Sequence, residues 1–147
     1  MLRFLRKNKV VLSTVAAGVV LIALIVGFHS MDTAQNAQIV EYIESLGWEI
    51  ERTPIEISYL RIPETFDAVF DNYNLYQKEA GFDLTEFAGI RAVRYSYRVL
   101  NHRYSAEVPV RANVIVIDSE IVAADVNSNV LGGFMHAITD VGMQIVE

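Results

Sequence analysis

The stretch that decides how this chain is organised is residues 10–28, which read VVLSTVAAGVVLIALIVGF. It contains no charged residue, and its only polar side chains are those of Ser13 and Thr14. As a helix rising about 1.5 Å per residue, it would extend roughly 29 Å, the thickness of the hydrocarbon core of a bilayer. The sequence therefore predicts a single transmembrane helix over residues 10–28.

Charge is divided between the two sides of this stretch. Residues 1–9 carry four basic and no acidic residues, whereas the residues after 28 carry eight basic and eighteen acidic ones. Basic residues at one end of a span favour keeping that end in the cytoplasm. We therefore predict a basic cytoplasmic stub at 1–9, a membrane span at 10–28 and an extracytoplasmic domain at 31–147, in a single-pass protein of the cell membrane. The apolar run is longer than the core of a usual signal peptide, which favours an uncleaved anchor.

The composition of the domain limits its chemistry. Residues 31–147 suffice for one domain with its own core. Their formal charge of −10 repels phosphate backbones, which excludes nucleic acid as an expected partner. The chain has no cysteine, so it has no disulfide, no thiolate metal site and no cysteine nucleophile.

Two helices and two edge strands are predicted in the first half of the domain. Apolar residues at helical spacing indicate a helix over 34–46 that ends at Gly47. Alternation of apolar and polar residues indicates short strands at 48–52 and 55–62, which the neighbouring prolines confine to a sheet edge. A second helix is expected to open at Pro63 and to end at Gly81. Its buried face is predicted to be apolar and aromatic: Phe66, Val69, Phe70, Tyr73, Tyr76 and Ala80.

The second half of the domain predicts three consecutive antiparallel strands. They cover 93–99, 108–117 and 121–126, and a closing helix follows at 131–139. The expected fold class is α+β. A single N-terminal transmembrane helix precedes a small domain with an antiparallel sheet of about four to five strands, and helices pack on one face of the sheet.

Seven short segments, taken in order between about 38 and 137, resemble a family of small anchored proteins of Gram-positive bacteria. This family is catalogued as domain of unknown function 4830. The resemblance implies an envelope protein, and it brings no activity and no functional residues to transfer. The segments are LGWEI at 46–50, IPETF at 62–66, YNLYQK at 73–78, GFDL at 81–84, YSY at 95–97, VRAN at 110–113 and GFM at 133–135.

A metal site is not predicted. Asp125, Asn127 and Asn129 begin the pattern of a calcium loop, but Val130 stands where glycine is needed and His136 where glutamate is needed. A strand-to-helix turn is the expected structure there. The three histidines (His29, His102 and His136) have no spacing that brings them together, although His136 and Asp140 would share a helix face. No cofactor is expected.

An enzyme is not predicted either. No serine lies in a Gly-x-Ser-x-Gly elbow. An envelope hydrolase using Asp83 and Glu86 is the least favoured hypothesis, because the pattern does not place two carboxylates at a fixed separation. Asp83 is instead expected to accept backbone hydrogen bonds in its turn.

The candidate binding residues lie on the polar face of the long strands. They are Arg94, Arg98 and Arg111, with Tyr104 nearby, because arginine and tyrosine combine donors with flat apolar area. The other interpretation is that these arginines pair with surface carboxylates.

The function is left unknown, with two main hypotheses. The first is a non-catalytic, membrane-anchored extracytoplasmic module for interaction or sensing that works through another envelope protein. The alternative is a small-ligand-binding domain with a pocket between the aromatic helix and the sheet, lined by Tyr73, Tyr76, Tyr95 and Tyr97. The sequence predicts no oligomeric state.

Overall fold

The computed structural model describes residues 33–145. The predicted cytoplasmic stub at 1–9 and the predicted membrane span at 10–28 lie outside these residues, as does His29. The chain divides into two compact units, Met1–Gln35 and Asn36–Glu147. Of the first unit only residues 33–35 are described, and they are helical.

The second unit is built on one antiparallel sheet. The described part of the first helix, α1, covers residues 33–45, and the second helix, α2, is Ala68–Glu79. Each strand pairs antiparallel with the next strand along the chain, so the sheet is a meander. In sheet order the five strands are β1 (Glu56–Arg61), β2 (Arg91–Arg98), β3 (Arg111–Ile117), β4 (Glu120–Asn127) and β5 (Met135–Ala137).

The predicted fold class is corrected by this structure. What it contains is a small domain with a five-stranded antiparallel sheet and two helices. Within residues 33–145, neither helix has the length and apolar character needed to cross a membrane. The expectation that the helices pack on one face of the sheet is also wrong.

The two helices pack against opposite faces. Helix α1 buries Ile39 and Ile43 in a first core cluster together with Tyr95 and Tyr97 of β2. Residues of α2, such as Phe70, pack instead on a second cluster that contains Ala92, Ile115 and Ala123. Because successive residues of a strand point to opposite faces, the two clusters lie on the two sides of the sheet.

Strand β3 explains why the pattern suggested one covered face. Ala112, Val114 and Val116 alternate along this strand, as in a strand with one apolar face, and they belong to the first cluster. However, Ile115 and Ile117 on the other side are buried as well. A central strand covered on both faces has two apolar sides, and a helix must lie on each.

Helix α2 starts later than predicted, and its inward face is confirmed only in part, since Phe70 and Tyr73 pack against the second core cluster as expected. It begins at Ala68, where the Asp67 side chain accepts a hydrogen bond from the Phe70 N–H at 2.8 Å, and not directly after Pro63. Val69, expected to be inward, is 77 % exposed. The fully buried positions are the amides Asn74 and Gln77, as described below.

The predicted closing helix over 131–139 is wrong. This segment forms a turn followed by β5, which pairs with the end of β4. Gly132 has a φ of +72°, and a Cβ on Gly133 would come within 2.2 Å of the Ser128 carbonyl oxygen. The two glycines therefore let the backbone fold back on itself, which a helix would not do.

At the other edge of the sheet, one strand prediction is confirmed and one is reduced. The proline-flanked strand β1 is the first strand in the sheet order, as expected for a strand next to Pro54 and Pro63. The strand predicted at 48–52 is only an isolated bridge between Ile50 and Val99.

Candidate functional site

The face of the sheet that carries the second core cluster, here called the second face, is apolar at one end and polar at the other. Ala92 and Ile115 lie in the core cluster under α2. Farther along the same face of β2 and β3 come Arg94, Arg98 and Arg111, whose side chains are 42 %, 56 % and 29 % exposed. We call these three residues the arginine face. Three of the four residues named as binding candidates are thus brought together on one surface.

The arginine face includes a pair of like charges. Arg98 and Arg111 are direct cross-strand partners, an arrangement that is destabilising unless the charges are compensated. Arg98 lies 3.6 Å from a carboxylate oxygen of Glu51. Glu56 compensates the other two arginines, since its Oε1 accepts from Arg94 Nη2 at 3.3 Å and its Oε2 accepts from Arg111 Nη1 at 3.1 Å.

A row of polar side chains, buried except at Glu56, runs across the sheet on the same face as the three arginines. Glu56, Ser96, Asn113 and Asp125 occupy one register line across four strands. The Ser96 hydroxyl donates to Asn113 Oδ1 at 2.7 Å, and Asn113 Nδ2 donates to Asp125 Oδ1 at 2.9 Å. The alternation of polar residues along β2 was the sequence signal for this row. Which residues of the other strands lie beside them depends on the strand register, which the sequence pattern does not give.

Asp125 is the buried end of this row. Its side chain accepts hydrogen bonds from three neutral donors: Asn113, Asn127 and the Tyr73 hydroxyl, the last at 2.9 Å. Burial raises the pKa of Asp125 despite these hydrogen bonds, and burial together with Asp125 raises the pKa of Tyr73 well above its ordinary value. The carboxylate therefore fastens α2 to the sheet and has no open side for a substrate.

The calcium-like pattern is accounted for by this arrangement. Asp125 and Asn127 lie inside β4, so the expected strand-to-helix turn is wrong, and Asn127 donates to the Asp125 carboxylate. Donor hydrogens pointing at a carboxylate occupy the positions that a cation would need. In the part of the chain that the structure describes, no three His, Asp or Glu side chains are grouped so as to hold a metal ion.

The structure brings together two histidines whose spacing gave no such signal. His102, in the loop between β2 and β3, is fully buried, and His136 lies in β5 on the first face of the sheet. Their Nε2 atoms are 3.3 Å apart. Trp48, Phe134 and Tyr104 pack their rings around them, so Tyr104 lies in this aromatic cluster and not on the arginine face.

The hydrogen-bond partners assign the protons of the histidine pair. The Tyr104 backbone N–H donates to His102 Nδ1 at 3.1 Å, which places the His102 proton on Nε2. His136 Nδ1 lies 2.8 Å from the carbonyl oxygen of Ala137, so it carries a proton and leaves Nε2 as an acceptor. The two neutral rings thus share the His102 proton. A metal ion between them would need an unprotonated nitrogen on both sides.

The family of the chain follows from a comparison with known protein families. Residues 42–126, more than half of the chain, match the family described as Domain of unknown function (DUF4830). The chain belongs to this family. No curated protein and no solved structure matches it. The DUF4830 segment contains the whole arginine face and Asp125, whereas His136 lies beyond it.

Within this DUF4830 domain, Asp83 caps a short turn. It precedes the 3₁₀ turn Leu84–Phe87 and accepts from the Thr85 N–H at 3.0 Å, which confirms its predicted backbone hydrogen bond. Asn74 Nδ2 also donates to Asp83, and Lys78 lies 3.2 Å from it. Hydrogen bonds from Asn74 and Thr85 hold the pKa of Asp83 well below its usual range.

The tyrosines of the proposed ligand pocket do not converge in the DUF4830 domain. Tyr95 and Tyr97 face the first core cluster, and the Tyr97 hydroxyl donates to Asn36 of α1 at 2.9 Å. Tyr73 lies on the opposite side of the sheet and donates to Asp125. A surface groove of about 430 Å³ opens instead beside Arg98, lined by residues 98–100 and 105–110.

Proposed function

We propose that this protein is a non-catalytic interaction module of the bacterial envelope, and that its arginine face binds an acidic partner protein. The observation that carries the proposal is the convergence of Arg94, Arg98 and Arg111 on one surface of a domain with a formal charge of −10. Arginine is enriched in protein interfaces because its planar guanidinium group donates several hydrogen bonds and also packs.

The stability of the domain does not account for these arginines. Ion pairs at the surface stabilise a protein by about 0–1 kcal/mol, and two facing arginines oppose that gain. The arginine face differs from the other facing pair, Arg61 and Arg91, in that a third arginine, Arg94, joins it and one carboxylate bridges two of its arginines, which favours recognition of negative charge over a contribution to folding.

The proposed location is the outer side of the cytoplasmic membrane of a Gram-positive bacterium. Its support comes from the sequence: residues 10–28 are uncharged, and the basic residues that precede them favour a cytoplasmic amino terminus. The family resemblance, which implies a Gram-positive envelope protein, points the same way.

The alternative of a small-ligand-binding domain has less support. It requires a pocket lined by tyrosines of α2 and β2, and these residues lie on opposite faces of the sheet.

Crosslinking in native membranes tests the proposal. The double variant Arg98→Gln/Arg111→Gln is expected to lose a crosslinked partner that the wild-type chain recovers. A matched control is Arg61→Gln/Arg91→Gln, which removes another pair of cross-strand arginines from the opposite face and changes the net charge equally. Equal loss in both variants, with both correctly folded, would show that net charge alone controls recovery and would refute the proposal.

A further inference from the structure

The Glu56 carboxylate is held between two arginines from different strands. Glu56 lies on the edge strand β1 and reaches past β2 to Arg111 of β3. Each of its oxygens accepts a hydrogen bond from a different guanidinium group, from Arg94 at 3.3 Å and from Arg111 at 3.1 Å. Paired guanidinium groups match the planar geometry of a carboxylate. The domain thus binds a carboxylate of its own at this surface.

This internal carboxylate is exchangeable. The Glu56, Arg94 and Arg111 side chains are 42 %, 42 % and 29 % exposed, so solvent reaches all three. Water screens such a pair, and two long side chains lose conformational freedom when they hold one geometry. A partner that presents several carboxylates at once can therefore displace Glu56.

The arginine face also has donors that its own carboxylates do not use. Glu56 contacts only Nη2 of Arg94, whose Nε atom is buried and therefore out of reach of a partner. Among residues 33–145, the ion pair that holds Arg98 is its long contact of 3.6 Å with Glu51, which leaves guanidinium donors open to a partner. Unused donor capacity at a site already suited to carboxylates indicates a further carboxylate ligand.

We infer that the arginine face recognises the carboxylates of an acidic protein segment, and that Glu56 occupies Arg94 and Arg111 until the segment displaces it. The inference rests on the proposed function and names the chemistry of the partner. A protein segment fits better than a long polyphosphate chain, because a domain with a formal charge of −10 repels a dense and extended polyanion.

A binding titration of the full chain in a neutral detergent tests the inference. The probe is a fluorescein-labelled hexaglutamate peptide at low ionic strength, followed by anisotropy. Glu56→Gln is expected to bind the peptide about fivefold more tightly than the wild-type chain, the change that corresponds to one surface ion pair. Adding Arg111→Gln to this variant is expected to remove the gain.

Glu64→Gln is the matched control. It removes one negative charge from another exposed glutamate, which pairs with Arg61. Its affinity is expected to stay close to that of the wild-type chain. If Glu64→Gln tightens binding as much as Glu56→Gln does, general charge explains the result and the inference is overturned. If Glu56→Gln does not fold, Glu56→Asp takes its place, because the shorter side chain cannot bridge both arginines and is expected to tighten binding as well.

Two further outcomes separate this inference from the proposed function. Preferential binding of polyphosphate over hexaglutamate by Glu56→Gln would overturn the carboxylate assignment. Unchanged affinity in Glu56→Gln would overturn the competition by Glu56, while an arginine-dependent crosslink in membranes would still support the proposed function.

Discussion

At the scale of single residues, the packing around His102 penalises proton uptake by its ring. The pKa of His102 is lowered from an ordinary 6.5 to about 4. Burial is the largest cause, and the nearby His136 and Arg103 lower the pKa further. The unfolded chain therefore binds more protons than the folded chain between these two values. The free energy of unfolding is expected to fall as the pH is lowered from about 6.5 to 4, and this contribution is fully present above that window.

Urea unfolding at a series of pH values measures this effect. The variant His102→Gln keeps a polar side chain but removes the titrating group, so its stability should depend less on pH within the window. Identical pH dependence in the two proteins would show that His102 does not contribute.

The Asp125 carboxylate is the second residue whose replacement has a defined expected result. In Asp125→Asn, an amide nitrogen must face one of the donors from Tyr73, Asn113 or Asn127, which leaves buried donors unsatisfied. We expect a loss of about 1–3 kcal/mol in the free energy of unfolding, measured by urea denaturation. Asp118→Asn, in an exposed turn, is the control and should change stability little. Equal effects at the two positions would contradict the role given to the network.

At the scale of elements, the return of the chain from β4 to β5 depends on Gly133. A Cβ there would overlap the Ser128 carbonyl oxygen, which belongs to the backbone and cannot rotate away. Gly133→Ala is therefore expected to lower the free energy of unfolding by about 1 kcal/mol or more. In a domain of this size, such a loss lowers the thermal midpoint by several degrees. Gly142→Ala adds a methyl group in ordinary contact only and should melt close to the wild-type protein. A similar loss in both variants would mean that the turn tolerates a side chain.

The elements also show how far the sequence could be interpreted. The alternation along β2 correctly placed Tyr95 and Tyr97 inward and the arginines outward, because one face of that strand is partly polar. Strand β3 has apolar residues on both faces, and alternation alone does not reveal a second covered face. In α2 the buried amides Asn74 and Gln77 look like surface residues, although Asn74 Oδ1 accepts from the Leu84 N–H and Gln77 Oε1 accepts from the Ala124 N–H.

The candidate site was only partly accessible from the sequence for a related reason. Arg94 and Arg98 share a strand face at a spacing that any alternating strand shows, so their proximity to each other was predictable. The contacts of Glu56 with Arg94 and Arg111 depend on which strands are neighbours, and so does the meeting of His102 with His136. Such contacts between distant segments are set by topology and register, which local patterns do not encode.

At the scale of the whole molecule, recognition by a few arginines on an acidic domain must depend on salt. At an ionic strength of about 1 M the Debye length falls to about 3 Å, and exposed charges no longer act over the width of the arginine face. We expect recovery of the crosslinked partner to decrease steadily as salt is raised. The same membranes with Arg61→Gln/Arg91→Gln should follow the wild-type salt curve. Recovery that is independent of salt would point to an apolar interface elsewhere.

The meander has a consequence for the order in which the molecule can form. The hairpins β2–β3, β3–β4 and β4–β5 can close without waiting for a distant segment, whereas β1 reaches β2 only across the segment that contains α2, and no strand has to insert between two others. Two side-chain hydrogen bonds span far more of the chain, from its carboxyl end back to the segment just after α1. Trp48 Nε1 donates to the Ile138 carbonyl oxygen at 2.7 Å, and Gln144 Nε2 donates to that of Leu46 at 2.9 Å. These links close loops of about a hundred residues, which is entropically slow, so the domain is expected to be completed by a late closing step at its carboxyl end.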